Sequence, residues 1–111
     1  MDERARRVGK NEEVFREVNE QIESLNRAMV AIGVQTMHIV CECGDLACIE
    51  QLVVEIPDYE RIRSDAACFI VAPGHELPDV EDVVEKTDAF SVVRKHEGDP
   101  ARAARATDPR G

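Results

Sequence analysis

Three of the four cysteines in this chain lie within eight residues. Cys41, Cys43 and Cys48 form the run CECGDLAC, which has the spacing C-x-C-x4-C. In a reducing compartment disulfides are rare, so grouped cysteines are more typical of metal binding or thiol chemistry. Gly44 can adopt the positive φ angle that a tight loop between converging thiols requires. The run therefore predicts a metal-binding loop from the first to the last of these cysteines, which we call the knuckle.

A tetrahedral metal ion needs a fourth ligand besides these three thiolates. We favour His75, because it follows an apolar segment and because the rigid turn at Pro73 and Gly74 holds its direction. Cys68 or an open position is the alternative, although a free cysteine in an apolar segment usually acts as a small buried residue. His38 is interpreted as a surface residue and His96 as a solvated one.

The predicted ligand set combines several thiolates with one imidazole, which favours zinc over other metals. Its members are Cys41, Cys43, Cys48 and His75. An iron–sulfur centre could use the same cysteines, but their spacing is not the one usual for such centres. The remaining interpretation is that the three cysteines form no metal site, or form a redox cluster without a metal.

The hydropathy pattern predicts an α+β fold, with a long N-terminal helix packed on a small, mainly antiparallel sheet, a short helix and the metal knuckle. The long helix is predicted at about residues 11–32. The remaining elements are strands at 36–40 and 49–56 joined by the knuckle, a helix at 57–64, a central strand at 68–72, and a hairpin of 80–85 with 90–95. A helix over 79–86 competes with the first arm of that hairpin.

Two faces are predicted for the long helix. Apolar residues recur at helical spacing and are expected to face the core or, since the core is small, to pair with a second copy of the chain. They are Val14, Phe15, Val18, Ile22, Leu25 and Met29. The acidic and amide residues between them are expected to be solvated, and the glutamates among them could contact a basic partner. These residues are Glu12, Glu13, Glu17, Asn19, Glu20, Glu23 and Asn26.

Length and local composition predict a single domain. Residues 1–10 are expected to be a flexible basic arm, residues 11–95 a single α+β zinc-binding domain, and residues 96–111 a flexible tail. The charge is uneven: of the net −9, residues 11–93 contribute five basic and 18 acidic side chains. An acidic body repels phosphate backbones, so no nucleic-acid partner is expected.

No apolar run reaches the roughly 18–20 residues of a membrane span, and the N-terminus has no hydrophobic signal core. We therefore expect no membrane partner and a cytoplasmic location.

Three segments together resemble a family of small, uncharacterised bacterial proteins: NEEVFREVNE at 11–20, the C-x-C-G-D-x-x-C knuckle, and FIVAPGHE at 69–76, which contains an A-P-G-H-E motif. The likeness covers about residues 11–95. The resemblance implies that Cys41, Cys43, Cys48 and His75 bind the metal, because they recur in that family as a set. Cys68 departs from the family, in which polar or basic residues occupy that position. The family implies no reaction or substrate.

These observations favour a structural-zinc domain that acts as a protein-interaction or regulatory module. A thiol or metal redox sensor is the first alternative, since a C-x-C pair can form or exchange disulfides. A small zinc-dependent enzyme is the second, with Glu76 beside His75 as its best acid or base. No catalytic residue is assigned, because three thiolates weaken the Lewis acidity of a metal and no large cleft is expected.

Overall fold

The computed structural model describes residues 3–111 and has the predicted α+β fold. Its elements in chain order are α1 Glu3–Arg27, a 3-10 turn Val30–Ile32, β1 Thr36–Val40, β2 Gln51–Glu55, α2 Ile56–Arg63, β3 Cys68–Val71, β4 Glu81–Lys86, β5 Ser91–Lys95 and α3 Asp99–Ala106. No helix within these residues is both long and apolar enough to span a membrane.

The strands form two small antiparallel sheets instead of one. β1 pairs with β2 across the knuckle, which confirms the first predicted pair. β4 pairs with β5, so the predicted hairpin is confirmed and the competing helix over 79–86 is wrong. The order of the second sheet is β3-β5-β4, so β3 is an edge strand and not the predicted central one. All four of its residues are nevertheless buried, because the knuckle and α1 cover it.

α1 begins well before the predicted start at residue 11. Residues 3–10, expected to be a flexible arm, are helical, while residues 1–2 lie outside the described part of the chain. The helix ends at Arg27, and the 3-10 turn continues the chain to Gly33, where φ is +98°. The early start has a physical reason, because the first turns of α1 pack on the knuckle and are stabilised by that contact.

The expected flexible tail contains a third helix, α3, so that prediction is wrong for residues 99–106. Ala101 and Ala104 of α3 are buried. Arg16 of α1 donates hydrogen bonds to the Ala104 carbonyl at 2.8 Å and to the Thr107 hydroxyl at 3.0 Å. An eight-residue helix is unstable alone, and this one depends on distant contacts that its own sequence does not reveal.

The buried face of α1 is its polar face, which contradicts the predicted orientation. Four side chains of α1 are almost completely buried: Glu12, Arg16, Asn19 and Glu23. In contrast, Val14 is 57% exposed, Val18 39% and Leu25 75%. The helix therefore packs on the sheets through charged and amide groups, because the surface beneath it also carries buried charges.

We call this buried contact the polar layer, and it consists of Glu12, Arg16, Asn19, Glu23, Glu42, Arg63, Glu81 and Lys95. The ammonium of Lys95 lies 2.7 Å from both the Glu12 and the Glu81 carboxylates. The guanidinium of Arg16 stacks on the Phe69 ring at 4.7 Å and donates to the Ala66 carbonyl. Lys95 can be buried here because it is paired with two carboxylates, and Arg16 because its terminal nitrogens donate hydrogen bonds and its plane lies on an aromatic ring.

Two carboxyl groups of the polar layer have strongly raised pKa values. Burial raises the pKa of Glu12 to about 7, and the ammonium of Lys95 offsets only part of this effect. Burial also raises the pKa of Glu23 to about 7, and its hydrogen bond with Glu60 adds to the rise. The same hydrogen bond and Arg110 lower the pKa of Glu60. Of the two carboxyl groups, Glu23 therefore binds a proton more readily than Glu60.

The raised pKa of Glu23 predicts a specific pH dependence of stability. Between about pH 5 and pH 7 the folded chain keeps this proton while the unfolded chain has lost it, so a rise in pH favours unfolding. In the wild type this proton makes the unfolding free energy fall over this range by up to about 1.4 kcal/mol per pH unit. Glu23→Gln should remove this contribution to the slope. Denaturant titrations at several pH values measure this slope.

Glu17→Gln is the matched control, because Glu17 is exposed on the same helix. It should leave the slope unchanged. Equal slopes for the wild type and Glu23→Gln would contradict the assigned proton.

Candidate metal centre

The knuckle connects β1 to β2 and folds tightly against the start of α1. Gly44 has φ +81°, as the sequence predicted, and a Cβ atom there would lie 2.9 Å from Cγ1 of Val8. The side-chain amide of Asn11 donates to the Gly44 carbonyl at 2.8 Å. Asp45 accepts the backbone N–H of Ala47 at 2.9 Å, which closes the loop. Backbone conformation and close packing therefore both require glycine at position 44.

A second turn brings His75 to the knuckle. The His75 N–H donates to the Ala72 carbonyl at 3.0 Å across Pro73 and Gly74, and Gly74 has φ +88°. Proline followed by a glycine with positive φ is typical of a type II turn. The N–H of Ala72 donates to Sγ of Cys41 at 3.1 Å, so the end of β3 contacts the knuckle directly. The turn thus directs the imidazole towards the thiols.

The structure brings together the four residues that the sequence selected. The donor atoms of Cys41, Cys43, Cys48 and His75 all lie within 4.8 Å of one another. Nδ1 of His75 is 3.6 Å from Sγ of Cys41 and 3.6 Å from Sγ of Cys48. A sulfur and a nitrogen bound to one tetrahedral zinc ion lie about 3.5 Å apart, given bond lengths of about 2.3 and 2.0 Å. The three cysteines and the histidine are therefore positioned to bind a metal ion.

Burial and mutual proximity oppose ionisation of these thiols in the absence of a cation. Burial raises the pKa of the Cys41 thiol, and the neighbouring Cys43 and Cys48 raise it further. Burial also raises the pKa of Cys43. Backbone N–H groups of Ala72 and Asp45 act in the opposite direction, since each donates to one of the two sulfurs. A bound dication would reverse the balance, because metal ligation deprotonates thiols.

The other candidate residues lie outside this group of donors. Cys68 is buried at the far end of β3, where burial raises its pKa to about 11. His38 is exposed on β1, opposite Val53. His96 is partly exposed, and its Nε2 lies 3.2 Å from the Asp82 carboxylate. Among the described residues, His75 is the histidine that the fold brings to the knuckle.

Sequence reasoning placed Glu42 near the proposed ligands but missed its structural role: it lies between two of the site cysteines and is completely buried. Its Oε1 accepts the N–H of Ile70 at 2.9 Å, and its own N–H donates to the Ile70 carbonyl. Its Oε2 accepts hydrogen bonds from Asn19 and from Arg63. Glu42 thus satisfies the free edge of β3 and connects the knuckle to α1 and α2. The 4-3-4 spacing of Glu12, Arg16, Asn19 and Glu23 was the available signal for this polar contact.

Comparison with known proteins identifies no similar protein. No protein-family model matches the chain, and neither the curated proteins nor the solved structures contain a significant match. The resemblance to small bacterial proteins therefore stays a prediction, and the functional argument rests on the geometry of the site.

The buried carboxylate of Glu42 predicts a large mutational effect. Glu42→Gln removes the nearer of the two carboxylates paired with the buried guanidinium of Arg63 and leaves Glu20 at 3.5 Å, and it places an amide donor among other donors. Breaking a buried ion pair in this way should lower the unfolding free energy by about 3–5 kcal/mol. Urea unfolding at an unchanged m-value measures the loss.

Glu50→Gln provides the control, because Glu50 is exposed just after the knuckle. Its effect should stay within about 0.5 kcal/mol. If Glu42→Gln is no more harmful than Glu50→Gln, the proposed role of Glu42 in connecting the elements is wrong.

Proposed function

We propose that this chain is a small zinc-stabilised module that acts by binding another protein. The observation that carries the proposal is the convergence of three thiols and one imidazole within 4.8 Å. A set of four protein ligands is typical of structural zinc sites, whereas catalytic sites keep one position open for water or substrate. Zinc is the metal that this thiolate-rich donor set favours.

The size of the chain supports a structural role for the metal. A chain of 111 residues has a limited apolar core, and here the long helix packs on it through charged groups. Buried ion pairs add little net stability compared with apolar packing. A zinc ion would supply folding free energy by joining the knuckle to the end of β3.

The knuckle also offers a surface for a protein partner. Leu46 is 73% exposed and Ile49 is 92% exposed, and both flank Cys48 on the same loop. Apolar side chains on an ordered loop can enter a pocket of a partner without a large entropy cost, because metal binding has already fixed the backbone. This pair is the proposed contact, in place of the acidic helix face, whose Glu12 and Glu23 are buried.

The first prediction of this proposal concerns metal content. Purified full-length chain should contain one zinc per molecule, and removal by a chelator should lower the unfolding temperature by several degrees or more. His75→Ala and Cys41→Ser should each lose the bound metal, as measured by elemental analysis. Cys68→Ala is the matched control and should keep it.

Three results would contradict this prediction: a metal-free chain of unchanged stability, metal retention by His75→Ala, or metal loss by Cys68→Ala.

A separate experiment with peroxide distinguishes the module from a redox sensor. Low doses of peroxide could oxidise two thiolates to one disulfide, with the peroxide reduced to water, and release the metal. Reversal of that release by a thiol reductant would favour the sensor over the module.

The second prediction concerns the exposed pair Leu46 and Ile49, which flank the last cysteine of the knuckle. The double variant Leu46→Ser/Ile49→Ser should keep its zinc and its unfolding temperature but lose a protein that the zinc-loaded wild type captures from a cell lysate. Val84→Ser is the control, because Val84 is also exposed but lies on β4, away from the knuckle. Equal capture by the wild type and the double variant would overturn the assignment of this surface.

A further inference from the structure

The polar orientation of α1 leaves an apolar stripe facing outward. Six of the ten large apolar side chains that are exposed within residues 3–111 lie on α1 or in the turn after it. They are Val14, Val18, Leu25, Met29, Val30 and Ile32. This concentration differs from the scattered exposed apolar residues of an ordinary monomer surface.

The stripe has the spacing of a helix–helix contact. Val14, Val18, Gln21 and Leu25 follow one another at intervals of four, three and four residues, and all are exposed. Ala28 and Ile32 continue the same spacing in the sequence beyond the end of α1 at Arg27, and both are exposed. Alternation of three and four residues is the 3.5-residue period of a two-helix seam. We call these six residues the α1 seam.

We propose that the α1 seam binds a second copy of this chain, forming a two-fold symmetric dimer with antiparallel α1 helices. Together with the neighbouring Met29 and Val30, the four large apolar residues of the seam expose on the order of 500 Å² of surface, close to the apolar share of an interface of about 800 Å² per partner. A shallow groove of about 380 Å³ borders the seam and is lined by Glu17, Glu20, Gln21, Ser24, Leu25 and Pro109. A ridge beside a groove on one face allows the self-complementarity that a two-fold contact requires.

The charge of the chain favours contact between two copies at this face over contact at their charged faces. The chain carries a net charge of −9, so two copies repel each other wherever charged surfaces meet. None of the six seam residues is charged. The seam therefore allows two acidic chains to approach with like charges, such as Glu17 and Glu20 of the neighbouring groove, at the rim instead of at the centre of the contact.

The charge distribution along α1 selects the antiparallel orientation. The first turns of α1 carry four basic residues, Arg4, Arg6, Arg7 and Lys10. Parallel helices would bring these two basic groups together, whereas antiparallel helices separate them by the length of the helix. The antiparallel arrangement places Val18 against Leu25 of the second copy and brings the two Gln21 amides together near the symmetry axis, where they can hydrogen-bond.

The test is the oligomeric state of the full-length chain, measured by sedimentation from about 1 μM to about 1 mM. The wild type should be dimeric at the upper end and should dissociate on dilution. Val18→Glu/Leu25→Glu should raise the dissociation constant by about tenfold or more, because it buries two charges per copy. Gln21→Leu should lower the dissociation constant, which a variant with a damaged fold would not do.

Val84→Glu is the control, since Val84 is exposed outside the seam. It should dimerise like the wild type. A wild type that stays monomeric at the highest concentration overturns the proposal, and if it binds vesicles of anionic lipid the seam is instead a membrane-contacting face. A dimer that Val18→Glu/Leu25→Glu leaves unchanged overturns it as well. Metal content is measured on every variant, so that a failure of the zinc site is not mistaken for a failure of the seam.

Discussion

The buried carboxylate of Glu42 holds the knuckle, the second sheet and two helices in one arrangement. It binds the edge of β3 through Ile70, the long helix through Asn19, and α2 through Arg63. Removing a carboxylate from water is costly unless each oxygen finds donors, and here the two oxygens together accept three hydrogen bonds. These donors come from three different elements, so the carboxylate is stable only when all three elements are in place.

The same contact determines where the predicted metal ligands lie. Glu42 satisfies the N–H and the carbonyl of Ile70 on the outer edge of β3, where a further strand would otherwise pair. Two residues later, the N–H of Ala72 donates to Cys41 instead of to a strand. The chain then reverses at Pro73 and Gly74, which brings His75 back over the thiols. The position of His75 thus follows from how the edge of β3 is completed.

Local signals in the sequence were sufficient for the two hairpins β1–β2 and β4–β5, for α2 and for the four clustered residues, because glycine, proline and β-branched residues mark turns and strands within a few positions. They did not predict the pairing of β3 with β5 in a separate sheet. They were insufficient for α1, which carries two regular stripes, one apolar and one polar. Periodicity cannot decide which stripe is buried when partners such as Lys95 lie 83 residues away from Glu12 in the chain. The N-terminal turns and α3 were missed for a related reason, since contacts with Gly44 and Arg16 stabilise them.

The orientation of α1 connects the interior of the protein to its proposed contacts. A buried polar layer contributes little net stability but penalises every other rotation of the helix, because rotation would separate Glu12 from Lys95, Asn19 from Glu42 and Arg16 from the Ala104 carbonyl. The helix is therefore fixed with its apolar stripe outward, although exposing that stripe loses the free energy that its burial in the core would provide. A chain folded in this way gains most from contacts that replace the missing apolar burial. A metal bound at the knuckle and a second copy bound on the α1 seam would each add a stabilising contact. Neither contact would require a change in the polar layer.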